Sequence, residues 1–252
     1  MPDGMSVVEA FFLSGQLWWR YPGSGFALWS PEHLAALALC VVLIAALVTH
    51  ADRPGLLRAV AIVPVCSLAL TNALTAAQGA YDPTRLPLYL CNLCELIVLV
   101  DCLHPNALCD ECSFALAMLG GISAILFPGW TQCPIWSLPS LTGFLEHSCL
   151  VAYPLMRLRT GALVPRRRRA WMPMLVGGAH MLAVIPYNLR YGSNFDFVPD
   201  PMGTEPLASV FRACGNPGYT LLVFAVGCAL VWAEYRLYAH RYGGHRRDRG
   251  QA

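Results

Sequence analysis

Seven apolar runs of near membrane-spanning length follow one another along this chain, at roughly residues 32–49, 57–78, 86–103, 112–127, 138–158, 171–190 and 217–238. About 18 or more apolar residues make a helix long enough to cross ~30 Å of hydrocarbon. Inside a bilayer every backbone polar group must bond internally, so only helices and closed barrels span it. Barrel strands alternate apolar and polar residues at every second position, and these runs do not. The composition agrees, at 56% hydrophobic and 13% charged, against about 25% charged in an average soluble domain. A soluble globular enzyme, a nucleic-acid-binding protein and a disordered chain are excluded. The expected fold is all-α: a polytopic seven-transmembrane-helix bundle over residues 31–240, after an interfacial segment 1–30 and before a basic tail 241–252. In the first segment Phe11, Phe12, Trp18 and Trp19 suit an aromatic belt, and acids precede the first base, Arg20, so no cleavable signal is expected.

All 17 basic residues are arginine. A chain without lysine cannot hold a cofactor as a Schiff base or carry a Walker-A loop. With the N-terminus outside, Arg53, Arg58, Arg157, Arg159, Arg166 to Arg169, Arg236, Arg241, Arg246, Arg247 and Arg249 fall inside, while Arg20, Arg85, Arg190 and Arg212 fall outside. That split follows the positive-inside rule and places the C-terminus in the cytoplasm. The protein is expected to be a multi-pass protein of a cell membrane. The run Arg166 to Arg169 reads as a topology signal beside anionic head groups.

Ionisable and amide side chains at membrane depth are functional candidates because burying them in hydrocarbon costs several kcal/mol. The third run carries Cys91, Cys94, Glu95 and Cys102 on one helical face, with Pro87 suited to its first turn. The fifth carries Glu146 and His147, which point about 100° apart, so one faces the bundle centre and the other a neighbouring helix. The sixth carries His180, Asn188 and Arg190. Asn188, Arg190 and Asn194 are placed to hold a carboxylate or phosphate; snorkelling is the alternative for Arg190. Thr71, Asn72, Thr75 and Gln78 add a polar stripe on the second run. Together these groups predict a polar pocket open to the outer leaflet, and the long stretch 191–216 reads as a lid over it.

Eleven cysteines are present. Cys109-x-x-Cys112 with His104 supplies three ligands, one short of a closed zinc site, and no metal or other cofactor is expected. Cys133 and Cys214, both placed outside, could pair in an oxidising compartment.

The order of certain residues resembles the YwaF-type bacterial integral membrane proteins, whose eukaryotic relative is transmembrane protein 164. The matching pieces are Leu86-Pro87-Leu88-x-Leu90-Cys91, Gly120-Gly121 through Pro128, Phe144-x-x-His147, Asn188-x-x-x-Gly192-x-Asn194-Phe195, Pro206, and Gly215-x-Pro217-x-Tyr219 before the last helix. The chain is similar, more distantly, to the androgen-induced membrane hydrolases. The resemblance implies seven helices, a phospholipid or other acyl-lipid substrate, Cys91 as nucleophile and His147 as base. Tyr89 and Asp196-Phe197 depart from the family pattern.

Three functions stay open at this point. One is a lipid acyltransferase or acyl-ester hydrolase using Cys91 and His147, with Glu95, His180, Asn188, Arg190 and Asn194 around the substrate. Another is a membrane thiol oxidoreductase using Cys91 and Cys94. The third is a transporter or receptor for a small polar ligand.

Overall fold

A computed structural model of the chain describes residues 4–201 and 207–242. The first three residues, Pro206 and the tail with Arg246, Arg247 and Arg249 lie outside the described residues. All regular structure among them is helical. In chain order the helices are α1 (Val7–Phe12), α2 (Pro31–Thr49), α3 (Leu56–Ala77), α4 (Leu90–Leu103), α5 (Ala107–Cys112), α6 (Met118–Leu126), α7 (Leu138–Thr160), α8 (Trp171–Tyr191) and α9 (Leu207–Tyr242). A π-helical turn, Ser113–Ala117, fuses α5 and α6 into one rod. Five rods are long and apolar enough to cross a membrane: α2, α3, α5–α6, α8 and α9.

The other two expected spans differ for physical reasons. α7 has the length, but fifteen of its 23 residues are buried by other helices. α2, α3, α4 and α6 pack around it, so its sides need not be apolar. α4 has only 14 residues, about 21 Å at 1.5 Å per residue. The run predicted a helix from residue 86, yet residues 86–89 are extended or bent and Pro87 lies before the helix. The start is fixed at Leu90 by contacts from elsewhere in the chain.

Three of the four hydrophobic clusters among the described residues tie the long helices together. The largest joins Val60 and Ala61 of α3, Cys94 and Val98 of α4, and Leu150, Tyr153 and Met156 of α7. A second joins Cys40 of α2, Ile125 of α6, and Phe144 and Val151 of α7. The third ties Phe114 and Leu163 to Val231 and Tyr235 of α9. Facing outward, Leu39 on α2, Leu182 and Leu189 on α8 and Leu237 on α9 are 70–79% exposed, as lipid-facing side chains should be.

Several expectations change. Trp18 is not in an aromatic belt; it is 1% exposed, packed with Ala10 and Cys133. The α3 stripe does not converge on the other polar groups; Gln78 lines a groove with Val8, Glu9, Phe12, Leu13 and Leu17 of the N-terminal segment. Thr75 Oγ1 lies 2.8 Å from Ser14 Oγ, and Gln78 accepts from Ser14 N and donates to Phe12 O, each at 2.8 Å. This end of the stripe docks the N-terminal segment, while Thr71 and Asn72 bond back to carbonyls of their own helix. The stretch 191–216 is not all loop: α8 runs to Tyr191, and α9 begins at Leu207 and breaks at Gly215 (φ 56°) and Asn216. Cys133 and Cys214 are unpaired, one buried against the N-terminal segment and one exposed on α9.

Candidate functional site

Cys91 is the second residue of α4. Tyr89 caps the helix in an extended conformation, and its N–H donates to Asn92 Oδ1 at 3.2 Å. The next donor, Leu90 N, is taken by Asp196 Oδ1 at 2.7 Å, an anionic cap where the helix dipole is positive. The other oxygen of Asp196 lies 2.9 Å from His180 Nε2 on α8. One carboxylate therefore clasps the start of α4 to α8, and it brings His180 within a carboxyl group and two polar contacts of the residue before Cys91. Asp196 and Phe197 both sit at positive φ, 58° and 55°, a costly backbone for non-glycine residues that the surroundings must hold in place. Tyr89 packs edge-on against Phe195 at 5.1 Å and near Phe197 at 6.1 Å, so an aromatic roof lies over the helix start.

The loop bearing Asp196 is braced from below by Asn188. Its Oδ1 accepts from Ser193 Oγ (2.8 Å) and Phe195 N (2.9 Å), and its Nδ2 donates to Phe195 O (3.0 Å). Asn194 closes the loop's far side through Asp200 N and O. Both amides expected at the substrate are thus engaged in building the loop. Arg190 is exposed, its guanidinium 5.5 Å from the Tyr191 ring. Nearby, Tyr81, Asp82, Pro83, Leu86, Tyr187 and Tyr191 line a shallow cleft of about 350 Å³ beside the strand-like approach to Cys91.

One turn below Cys91, Glu95 is fully buried, and neither of its oxygens has a hydrogen-bond partner. Glu146 of α7 turns toward it: Glu95, Cys91 and the Ser67 hydroxyl all lie within its electrostatic reach. The ionisable groups acting on Cys91 are Glu95, Cys94, Asp196 and Glu146.

His147 faces elsewhere. Its Nδ1 lies 2.7 Å from Gly143 O, and its ring stacks on Trp130 at 5.2 Å. Gly143 leaves the room for that indole, since a Cβ there would meet the ring at 2.8 Å. The 100° offset between neighbours on α7 is resolved: Glu146 points to α3 and α4, His147 to Trp130. No hydrogen bond joins Cys91 to His147. Sequence reasoning brought Cys91, Glu95 and His180 to attention, and the structure gathers them at one end of α4. It marked Asp196 only as a departure from the family pattern and gave it no role, because an acidic residue in a polar loop is ordinary until the loop is folded.

A helical bundle with apolar outward faces and polar side chains buried among its helices defines a multi-pass membrane protein. The model of the TMEM164 family matches residues 28–235, and the chain belongs to that family. No curated protein and no solved structure matches it.

Proposed function

We propose that this protein is a membrane acyltransferase or acyl-ester hydrolase acting on membrane lipids, of the YwaF type, with seven crossings, the N-terminus outside and Cys91 as nucleophile. The observation that supports it is the Asp196 carboxylate, which bonds Leu90 N, next to Cys91, through one oxygen and lies 2.9 Å from His180 Nε2 through the other, in ion-pair contact but without hydrogen-bond geometry. A carboxylate on one ring nitrogen orients the imidazole and stabilises it when protonated. On this reading His180 takes the role that the family resemblance gave to His147.

The thiol proton passes to the imidazole, and the thiolate attacks the ester carbonyl. The leaving alcohol takes the proton, leaving an acyl-thioester that a lysolipid hydroxyl or water then cleaves. Asp196 already occupies the positive end of α4, so on this reading the imidazole has to draw the proton from the thiol. Asn188 and Asn194 hold the loop in place, and Arg190 is available to a lipid phosphate.

The test is acyl exchange by purified protein in lipid nanodiscs. Cys91→Ser abolishes it, and His180→Ala lowers it by about 10²-fold or more, while His147→Ala leaves most of it. Full activity in Cys91→Ser removes the reading; loss in His147→Ala with a silent His180→Ala returns the base to His147.

The Glu95–Glu146 pair favours a second reading, a site for a small polar ligand at the bundle centre, since among the described residues both Glu95 oxygens and Glu146 Oε1 are buried with no hydrogen-bond partner. Thermal stabilisation by a ligand without turnover, lost in Glu95→Gln, would support it.

A further inference from the structure

We propose that Arg167 and Arg236, both set against Trp232, hold the phosphate of an anionic phospholipid at the arginine-rich end of the bundle. Arg167 belongs to the short 3-10 turn Arg167–Arg169 before α8, and its guanidinium carbon lies 4.7 Å from the Trp232 ring centre. Arg236, one turn beyond Trp232 on α9, lies 5.7 Å from the same centre. A ring that draws in two guanidiniums brings like charges together, which costs energy unless an anion joins them.

The other arginines at this end are differently placed. Arg157 is paired with Asp101 and Asp110. Arg169 lies within reach of Glu111, whose oxygens also accept from Arg166 N and Tyr235 Oη. Among the described residues no carboxylate lies within ion-pair distance of Arg167 or Arg236. Among the described residues Glu234, between Trp232 and Arg236 in sequence, has buried oxygens without a hydrogen-bond partner and forms no ion pair with either arginine.

A phosphate diester matches two guanidinium forks, which bind its oxygens bidentately. A lipid, rather than free phosphate, is favoured by the neighbours: Trp171 at the start of α8 is 57% exposed and Leu237 beside Arg236 is 71% exposed. Those surfaces suit the acyl chains, and tryptophan belongs at head-group level.

The test uses the full chain in neutral detergent, titrated with phosphatidylglycerol, phosphatidylcholine or inorganic phosphate and read by native mass spectrometry. Phosphatidylglycerol is expected to bind with clear preference. R167Q/R236Q weakens it roughly tenfold or more, since each basic side chain near a surface contributes appreciably to anionic-lipid affinity. Trp232→Leu keeps both charges but loosens them and weakens binding severalfold. R166Q/R168Q, which removes two exposed charges away from the ring, stays within about twofold. Equal binding of the two lipids, phosphate competing as well as the lipid, or an equal loss in R166Q/R168Q overturns the proposal. If R167Q/R236Q does not fold, Arg167→Lys decides: it keeps the charge and loses the fork, and unchanged affinity counts against the site.

Discussion

Asp196 carries the most consequence of any single side chain here, because one carboxylate caps α4 and faces His180. Asp196→Asn is expected to reduce acyl exchange by at least about 10-fold, by loosening the orientation of the imidazole, while the protein still accumulates. Asn188→Ala acts through the same loop by another route. It strands Ser193 Oγ and both backbone groups of Phe195, and each buried polar group without a partner costs about 1–3 kcal/mol. A melting temperature lowered by several degrees in detergent, with faster proteolysis near residues 193–197, is the expected result. Cys91, Glu95, His180 and Asn188 were legible in the sequence because each is a polar residue inside an apolar run. Their roles were not. Asn188 looks the same in sequence whether it holds a substrate or a backbone carbonyl seven residues away, and the difference is set by a turn that exists only after folding.

Helices are where patterning reads best, and their ends are where it reads worst. The seven apolar runs all became helices, but α4 begins four residues later than its run, because its cap comes from a loop 106 residues downstream. The fourth run gained a turn at its start, where Asn106 Oδ1 accepts from Leu108 N and Cys109 N; an N-cap asparagine satisfies the first free donors of a helix. Gly120 and Gly121 show how neighbouring identical letters diverge. A Cβ at Gly121 would meet Val151 Cγ2 at 2.8 Å and the backbone oxygen of His147 at 2.9 Å, whereas one at Gly120 meets nothing within 4 Å. Gly121→Ala therefore pushes α6 off α7 and costs about 1–3 kcal/mol. Gly120→Ala is neutral or stabilises by up to about 1 kcal/mol, as alanine does in a helix interior. Thermal unfolding of the two variants, measured side by side, separates them; an equal effect would mean that α6 and α7 are not in close contact.

For the molecule as a whole, the open matter is whether a 14-residue α4 completes a crossing. Residues 86–89 approach it in extended form, adding about 13 Å at ~3.3 Å per residue, and with the helix the total reaches the ~30 Å of a hydrocarbon core. Non-helical backbone at that depth is tolerated only where protein covers it, and Phe195, Phe197 and Tyr187 stand over this stretch; Tyr187 Oη donates to Pro83 O at 2.8 Å. At the helix's other end, Asp101 is anchored by Arg157 in a buried network with Asp110 and Ser113. Two fixed ends make α4 a complete crossing on this reading, and the consequence is checkable. Arg53, between α2 and α3, and Arg159, at the end of α7, are both exposed. They share one side of the membrane if α3, α4, α5–α6 and α7 all cross, and they lie on opposite sides if α4 does not. With Cys214 replaced by serine, Arg53→Cys and Arg159→Cys are each exposed to a membrane-impermeant maleimide. Neither is expected to label in intact cells, and both label after permeabilisation. Cys133, fully buried with its thiol pushed up to about 12 by that burial, stays silent at neutral pH because the thiolate is the reactive form. Labelling of only one of the two introduced thiols in intact cells would reduce α4 to a re-entrant helix, and the orientation of every later segment would invert.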